Sequence, residues 1–154
     1  MESAYRQPDR AIGDRSAVDL ALLIVRVVVG IIFMMHGAQK LFGAFGGPGL
    51  AGVVEGMGPI GYLVTIGEFF GGLGLVVGFL SRFSAAALIV IMLGAIGMVH
   101  GKNGFFAPEG FEYNLALIGL LAPVLIAGPG RLSVGRFLPL PKAAGTDRPI
   151  PPLE

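Results

Sequence analysis

Four apolar segments constrain the fold of this chain more than any other feature. They cover residues 18–36, 60–80, 84–100 and 114–127. As helices, the first three would be roughly 25 to 31 Å long, which matches a bilayer hydrocarbon core of about 30 Å. The fourth is shorter and is predicted to begin a turn earlier, near Phe111; its Pro123 either kinks the helix or is tolerated near its end. The sequence therefore predicts an all-α, integral membrane four-helix bundle.

The composition agrees with a membrane domain and narrows the classes of function. Of the 154 residues 54% are hydrophobic and only 14% are charged, against about 25% charged in a soluble domain. The formal net charge is +1, and no basic cluster with interleaved aromatic residues is present, so no nucleic-acid partner is predicted. The chain has no cysteine, which excludes a disulfide framework, a thiolate metal site and a dithiol relay within it.

Lysine and arginine positions predict the orientation in the membrane. With the N-terminus inside, only Lys40 and Lys102 lie outside. Eight lie on the inner side: Arg6, Arg10, Arg15, Arg82, Arg131, Arg136, Lys142 and Arg148. Both termini are therefore predicted to be cytoplasmic. Residues 1–17 are predicted to be a polar cytoplasmic arm, 18–137 the four-span membrane domain, and 138–154 a proline-rich flexible cytoplasmic tail.

Two outer connections and one glycine-rich helix face carry further patterns. Residues 37–59 contain apolar side chains at helical spacing, which predicts a short amphipathic helix in the interface: Leu50, Val53, Val54 and Met57. Residues 101–113 place aromatic side chains among turn-forming residues, as a belt or a cap over the bundle would. Four glycines share one face of the second span and predict a helix-packing seam: Gly67, Gly71, Gly74 and Gly78. A homodimer through this seam is left open.

Two charged residues lie well inside the predicted spans, away from their ends: Arg26 in the first and Glu68 in the second. An arginine in hydrocarbon costs at least about 2.5 to 3.5 kcal/mol, so Arg26 needs a partner. Counted from the inner ends, Arg26 lies about 12 Å and Glu68 about 18 Å up their spans, which predicts an Arg26–Glu68 pair. The pair either fixes how the helices dock or makes Glu68 a carboxylate that exchanges protons or orients a substrate.

Five further polar residues fall at the outer ends of the spans: His36, Lys40, His100, Glu112 and Asn114. Singly, an interfacial lysine is usually a snorkelling anchor, and a histidine at a helix end is usually a solvated cap. Because these residues and Glu68 would share the outer half of one bundle, they are predicted to form a polar ligand site. Two histidines and a carboxylate can bind a metal, but no close ligand spacing such as HxxxH is present, and no metal site is predicted.

The ordered series of these residues resembles the DoxX family over roughly residues 18–137. It includes Arg26, then Phe33 before a His-Gly-Ala-Gln-Lys-Leu-Phe stretch, a glycine-rich loop, Glu68 with a Gly-Gly pair after it, Arg82, and the run Glu112-Tyr113-Asn114. The resemblance implies a four-helix protein of the bacterial inner membrane. Relatives are described as small membrane subunits of thiosulfate:quinone oxidoreductases or as partners of redox enzymes. Matched by position, the family's polar set would be Arg26, His36, Lys40, Glu68, Glu112 and Asn114. The absence of cysteine departs from a relative that relays thiols.

The leading hypothesis is a membrane subunit of an electron-transfer system with a quinone in the outer half of the bundle. Glu68 and His36 would exchange hydrogen bonds and protons with the ligand, and Arg26 would hold Glu68 ionised. The other ligand-binding residues would be Lys40, His100, Glu112 and Asn114, with loop aromatics as walls. No haem or iron–sulfur ligation pattern is present, so electrons would come from a partner redox protein.

A second hypothesis is a non-catalytic membrane scaffold that recruits a partner oxidoreductase through its glycine seam and interfacial segments. In that case the polar cluster would matter for folding only. A transporter or proton channel has less support, because no broken helix pair or inverted repeat is evident.

Overall fold

The computed structural model describes residues 8–137. All regular secondary structure in this range is helical: α1 (Pro8–Phe42), α2 (Gly49–Met57), α3 (Ile60–Val77), α4 (Ser81–Ala95) and α5 (Glu112–Ala127). A π-helical turn, Ile96–His100, continues α4. Three short 3-10 turns lie in the connections: Ala44–Gly46, Gly101–Asn103 and Val134–Phe137. The predicted all-α class is confirmed.

The four long helices form a closed bundle, in which each packs against two neighbours. α1 contacts α3 and α5, and α4 contacts the same two helices from the other side. The core between them is apolar, with Phe33, Leu75, Leu88 and Leu121 almost inaccessible to solvent. Three helical stretches are long and apolar enough to cross a membrane: Arg15–Phe42, Ile60–Val77 and Ser81–Asn103. α5 is apolar but shorter, with 16 residues.

The bundle has two distinct ends. At the distal end α1 finishes, α3 and α5 begin, and α2 packs against α1 and α3. At the proximal end α3 and α5 finish and α4 begins. The predicted outer side corresponds to the distal end; which side of the membrane this end faces stays a prediction.

Most of the predicted helices are present in the structure, but their first and last residues differ from the predicted ones. The short helix in the first outer connection is confirmed as α2, and the fourth span begins at Glu112, next to the predicted Phe111. α5 runs through Pro123 to Ala127. α1 begins at Pro8 and so includes part of the segment assigned to the polar arm. The predicted tail, 138–154, lies outside the described residues, as do residues 1–7.

The glycine seam packs against α4 of the same chain. A Cβ atom added at Gly67, Gly71 or Gly74 would lie 2.6 to 3.2 Å from a side chain of α4, closer than ordinary contact. The predicted packing role of these three glycines is therefore confirmed. Gly78 instead ends α3 in the left-handed conformation, with φ 78°. A homodimer through the seam stays a prediction.

A second close approach sets the register of α1 against α3. A Cβ atom at Gly72 of α3 would lie 2.6 Å from the carbonyl oxygen of Gly30 and from the nitrogen of Met34 on α1. Further along the crossing, Gly37 lies directly against the backbone of Phe69. Small residues allow two backbones to come this close. Since the helices are antiparallel, this register brings the end of α1 beside the middle of α3.

Candidate ligand site

A cavity of about 270 Å³ lies at the distal end of the bundle, between α1, α3, α4 and α5. Its walls combine polar and apolar side chains, contributed by the helices and by the connection before α5. The lining residues are Phe33, His36, Lys40, Glu68, Met92, Ala95, His100, Pro108, Gly110, Tyr113, Asn114 and Leu117. Five of the seven residues predicted as a site are among them: His36, Lys40, Glu68, His100 and Asn114.

An ion pair between Lys40 and Glu68 forms one wall of this cavity. The Lys40 ammonium donates to both carboxylate oxygens of Glu68 at 2.6 Å. The Glu68 side chain is only 4% exposed, whereas that of Lys40 is 28% exposed. A buried carboxylate needs such a charged partner, and charge-assisted hydrogen bonds are among the strongest in proteins. The pair therefore keeps a negative charge and a partly accessible ammonium group beside the cavity.

His100 reaches the cavity from the π-helical turn that extends α4. A π turn inserts an extra residue into a helix and is frequent at functional sites. The Nδ1 atom of His100 lies 2.9 Å from the backbone oxygen of Glu109. Because a carbonyl oxygen only accepts, Nδ1 carries the proton, and the acceptor of the neutral ring is Nε2. The loop before α5 thus fixes the ring beside the cavity.

His36, Asn114 and Tyr113 complete the polar lining. His36 lies on the last turns of α1, one turn before Lys40, and is exposed on the isolated chain. Asn114 is 6% exposed, and its amide donates to the sulfur of Met92 at 3.4 Å. This weak bond holds the amide at the inner wall. Among the predicted loop aromatics only Tyr113 lines the cavity. The loop phenylalanines pack against each other instead, with Phe105 edge-to-face against Phe106 and Phe111.

The predicted pairing of Arg26 with Glu68 is wrong. Arg26 is buried, with 2% exposure, but its guanidinium donates to the backbone oxygens of Leu75, at 3.3 Å, and of Leu132. The prediction placed the inner ends of the first two spans at one level. In the structure α3 ends beside Arg26, where Gly78 contacts the guanidinium, and Lys40 is the basic residue level with Glu68.

Arg26 instead ties the proximal end of the bundle together. Its two carbonyl partners lie in the last turn of α3 and in the segment after α5. The last carbonyls of a helix have no partner within it, and arginine can bind them. Its Nε atom has no hydrogen-bond partner among the described residues. Arg26 therefore satisfies backbone groups at the end opposite to the cavity.

Glu112, the seventh predicted residue, does not line the cavity. It is half-buried at the start of α5, and its backbone N–H donates to the oxygen of Phe105 at 2.8 Å. A ligand-binding role for its side chain stays a prediction. No group of three or more His, Asp or Glu side chains within residues 8–137 has the arrangement for a metal ion.

Sequence reasoning did not identify the apolar walls. Met92, Ala95 and Leu117 line the cavity from α4 and α5, but in the sequence they are ordinary members of apolar spans. Pro108 and Gly110 belong to a loop with turn signals only. Tyr113 had a usable signal, because it lies between two residues of the predicted polar set.

Fold and site together define a small multi-pass membrane protein that carries a polar cavity at one end of a four-helix bundle. Residues 21–101 match the DoxX family. The chain belongs to this family.

Two relatives extend the match beyond that region. The "Inner membrane protein YqjF" of Escherichia coli (strain K12) is 31% identical over 128 residues, which cover 78% of this chain and 93% of that protein. The "Putative oxidoreductase CatD" of Bacillus subtilis (strain 168) is 29% identical over 108 residues, covering 66% of this chain and 76% of that protein. No solved structure gives a significant match. The predicted location in the bacterial inner membrane is confirmed.

Proposed function

We propose that this protein is a membrane subunit of a redox system and that its distal cavity binds the headgroup of a quinone. The observation that carries the proposal is the convergence of six polar side chains from all four helices of the bundle on one cavity, with a buried charge in its wall. Ionisable groups inside a membrane protein are costly and usually functional. The name of the Bacillus relative, "Putative oxidoreductase CatD", favours redox chemistry.

The donor set fits a quinone headgroup. The two carbonyl oxygens of a quinone ring need hydrogen-bond donors, and its flat faces need apolar walls. His36 and Lys40 come from α1, and Asn114 comes from the neighbouring helix α5. Phe33 and Leu117 supply apolar surface. Small-molecule sites typically combine mostly apolar walls with a few placed polar groups.

When bound, a quinone would accept electrons and protons. The residues of this chain would bind and orient its oxygens and would hold a proton ready. The Lys40 ammonium is the charged donor next to the cavity, and Glu68 keeps it in place. The electrons would come from a partner protein.

The first test is mass spectrometry of quinones extracted from the detergent-purified protein. The wild type should contain quinone in stoichiometric amount. Glu68→Gln and His36→Ala should retain at least about tenfold less, since each removes a polar contact in a low-dielectric site. Matched controls are Glu55→Gln, an exposed carboxylate of α2, and Met35→Ala, which neighbours His36 outside the cavity.

The controls should retain quinone at the wild-type level. If the wild type carries no more quinone than an unrelated membrane protein purified in the same way, the proposed site is wrong. Proteins that co-purify with the chain would then test the alternative, a scaffold without a ligand of its own.

A further inference from the structure

An apolar cleft of about 440 Å³ lies beside the polar cavity, between the distal halves of α3 and α4. Its lining is apolar apart from three residues at its inner wall, and includes Leu63, Val64, Ile91 and Met98. Leu63 and Met98 are 72% and 62% exposed on the isolated chain. In a membrane protein such apolar exposure faces lipid. The cleft is therefore open sideways to the hydrocarbon of the bilayer.

The cleft and the polar cavity share one wall. Four residues line both: Lys40, Glu68, Ala95 and His100. The two spaces are thus adjacent compartments, polar on the side of α1 and α5 and apolar on the side of the lipid. A single molecule with a polar head and an apolar tail would match this division.

The sizes of the compartments support the same division. Cavities for drug-sized ligands span about 300 to 1,000 Å³, and the polar cavity, at about 270 Å³, has room for a ring but none for a long tail. The tail of an amphiphile bound there needs a separate, apolar path. The cleft offers it, since ten of its thirteen lining residues are apolar or glycine.

We propose that the cleft between α3 and α4 holds the apolar tail of the same quinone whose headgroup binds in the polar cavity. The ligand class is then a long-tailed, lipid-soluble quinone that enters sideways from the bilayer. This inference rests on the proposed function and adds the tail path and the entry side.

Gly94 gives a direct way to close the cleft. It lines the cleft on α4, and a Cβ atom added there would meet nothing within 4 Å, so a larger side chain starts in open space beside the cleft. Gly119 on α5 is equally open but lines neither compartment. Gly94→Leu is the test variant, and Gly119→Leu is its matched control. Gly94→Ala replaces the leucine variant if that variant does not fold.

The experiment compares quinones with and without a tail. Menaquinone and menadione form one pair, and ubiquinone and its tail-free ring form the other. Affinity is taken from the concentration that gives half of the maximal shift in the thermal unfolding midpoint. Gly94→Leu should weaken binding of the tailed member about tenfold or more, because it displaces buried apolar contacts, and should leave the tail-free ring unchanged. Gly119→Leu should bind both like the wild type.

Three outcomes contradict the inference in distinguishable ways. Unchanged binding of the tailed quinone by Gly94→Leu would show that the tail lies elsewhere, with the headgroup site intact. Equal weakening of tailed and tail-free quinone would show that the position acts on the headgroup. A wild type that binds neither member would remove the proposed function itself.

Discussion

The Lys40–Glu68 pair is the residue-scale feature on which both the fold and the site depend. Loss of the lysine would leave the Glu68 carboxylate, 4% exposed, without its positive partner. Breaking a fully buried pair in this way costs about 3 to 5 kcal/mol. Lys40 is 28% exposed, so we expect Lys40→Met to lower the free energy of unfolding by about 1 to 3 kcal/mol. Thermal or denaturant unfolding in detergent measures this.

The control for that prediction is Lys102→Met, an exposed lysine of the distal loop that lines neither compartment. Its free energy of unfolding should change by less than about 0.5 kcal/mol. The double variant Lys40→Met with Glu68→Gln should be more stable than the sum of the single changes, since it leaves no unpaired charge. Additive effects would mean that the two groups do not interact.

At the same scale, the sequence predicted which buried residues need a partner but not which partner each of them has. Intramembrane charge alone indicated that Arg26 and Glu68 need partners, and both are indeed bonded. To predict the partner, one must know the positions of the two helices along the bundle axis to within a few ångströms. Apolar run lengths do not give that, because α1 extends well beyond the end of α3. Backbone carbonyls, the partners of Arg26, leave no signature in a sequence.

At the scale of the element, glycine spacing predicted close packing correctly but not every contact. Three of the four seam glycines pack against α4, whereas the register of α1 against α3 depends on Gly30, Gly37 and Gly72. Gly72 lies next to the seam, but no packing role was predicted for it. The π-helical turn after Ala95 was also not predictable, since an extra residue in a helix has no composition of its own. It moves His100 to the cavity wall.

Gly37 offers the sharpest test of that register. A Cβ atom at this position would overlap the backbone of Phe69, so Gly37→Ala must push α1 and α3 apart. We expect a loss of about 1 to 3 kcal/mol in the free energy of unfolding, as for other overpacked interiors. Since Lys40 and Glu68 lie within a turn of this contact, quinone retention should fall as well. Thermal unfolding and quinone extraction measure the two effects.

The matched substitution for Gly37→Ala is Gly119→Ala, on a helix position where an added Cβ meets nothing within 4 Å. Alanine is the better helix former, so this variant should be neutral or slightly more stable. A neutral Gly37→Ala would show that α1 and α3 are further apart than the contact between Gly37 and Phe69 requires, and the alignment of Lys40 with Glu68 would lose its explanation.

At the scale of the whole molecule, orientation decides which side of the membrane the polar cavity serves. Eight basic residues against two predict that the distal end faces away from the cytoplasm. A partner that delivers electrons at the cavity would then approach from the outer side, and protons would be exchanged there. The chain has no cysteine, so a thiol reagent labels only a cysteine that is introduced. A single introduced cysteine therefore shows on which side of the membrane its position lies.

Glu55→Cys marks the distal end on α2, and Phe137→Cys marks the proximal end; both positions are exposed. In spheroplasts, a membrane-impermeant maleimide should label Glu55→Cys at once and Phe137→Cys only after the membrane is disrupted. Neither change alters the count of basic residues, and acidic residues contribute little to orientation, so the variants should insert like the wild type. The reverse pattern would place the cavity on the cytoplasmic side and require a cytoplasmic electron donor. Labelling of both in intact spheroplasts would mean that the chain inserts in two orientations, and the cavity could then not be assigned to one side.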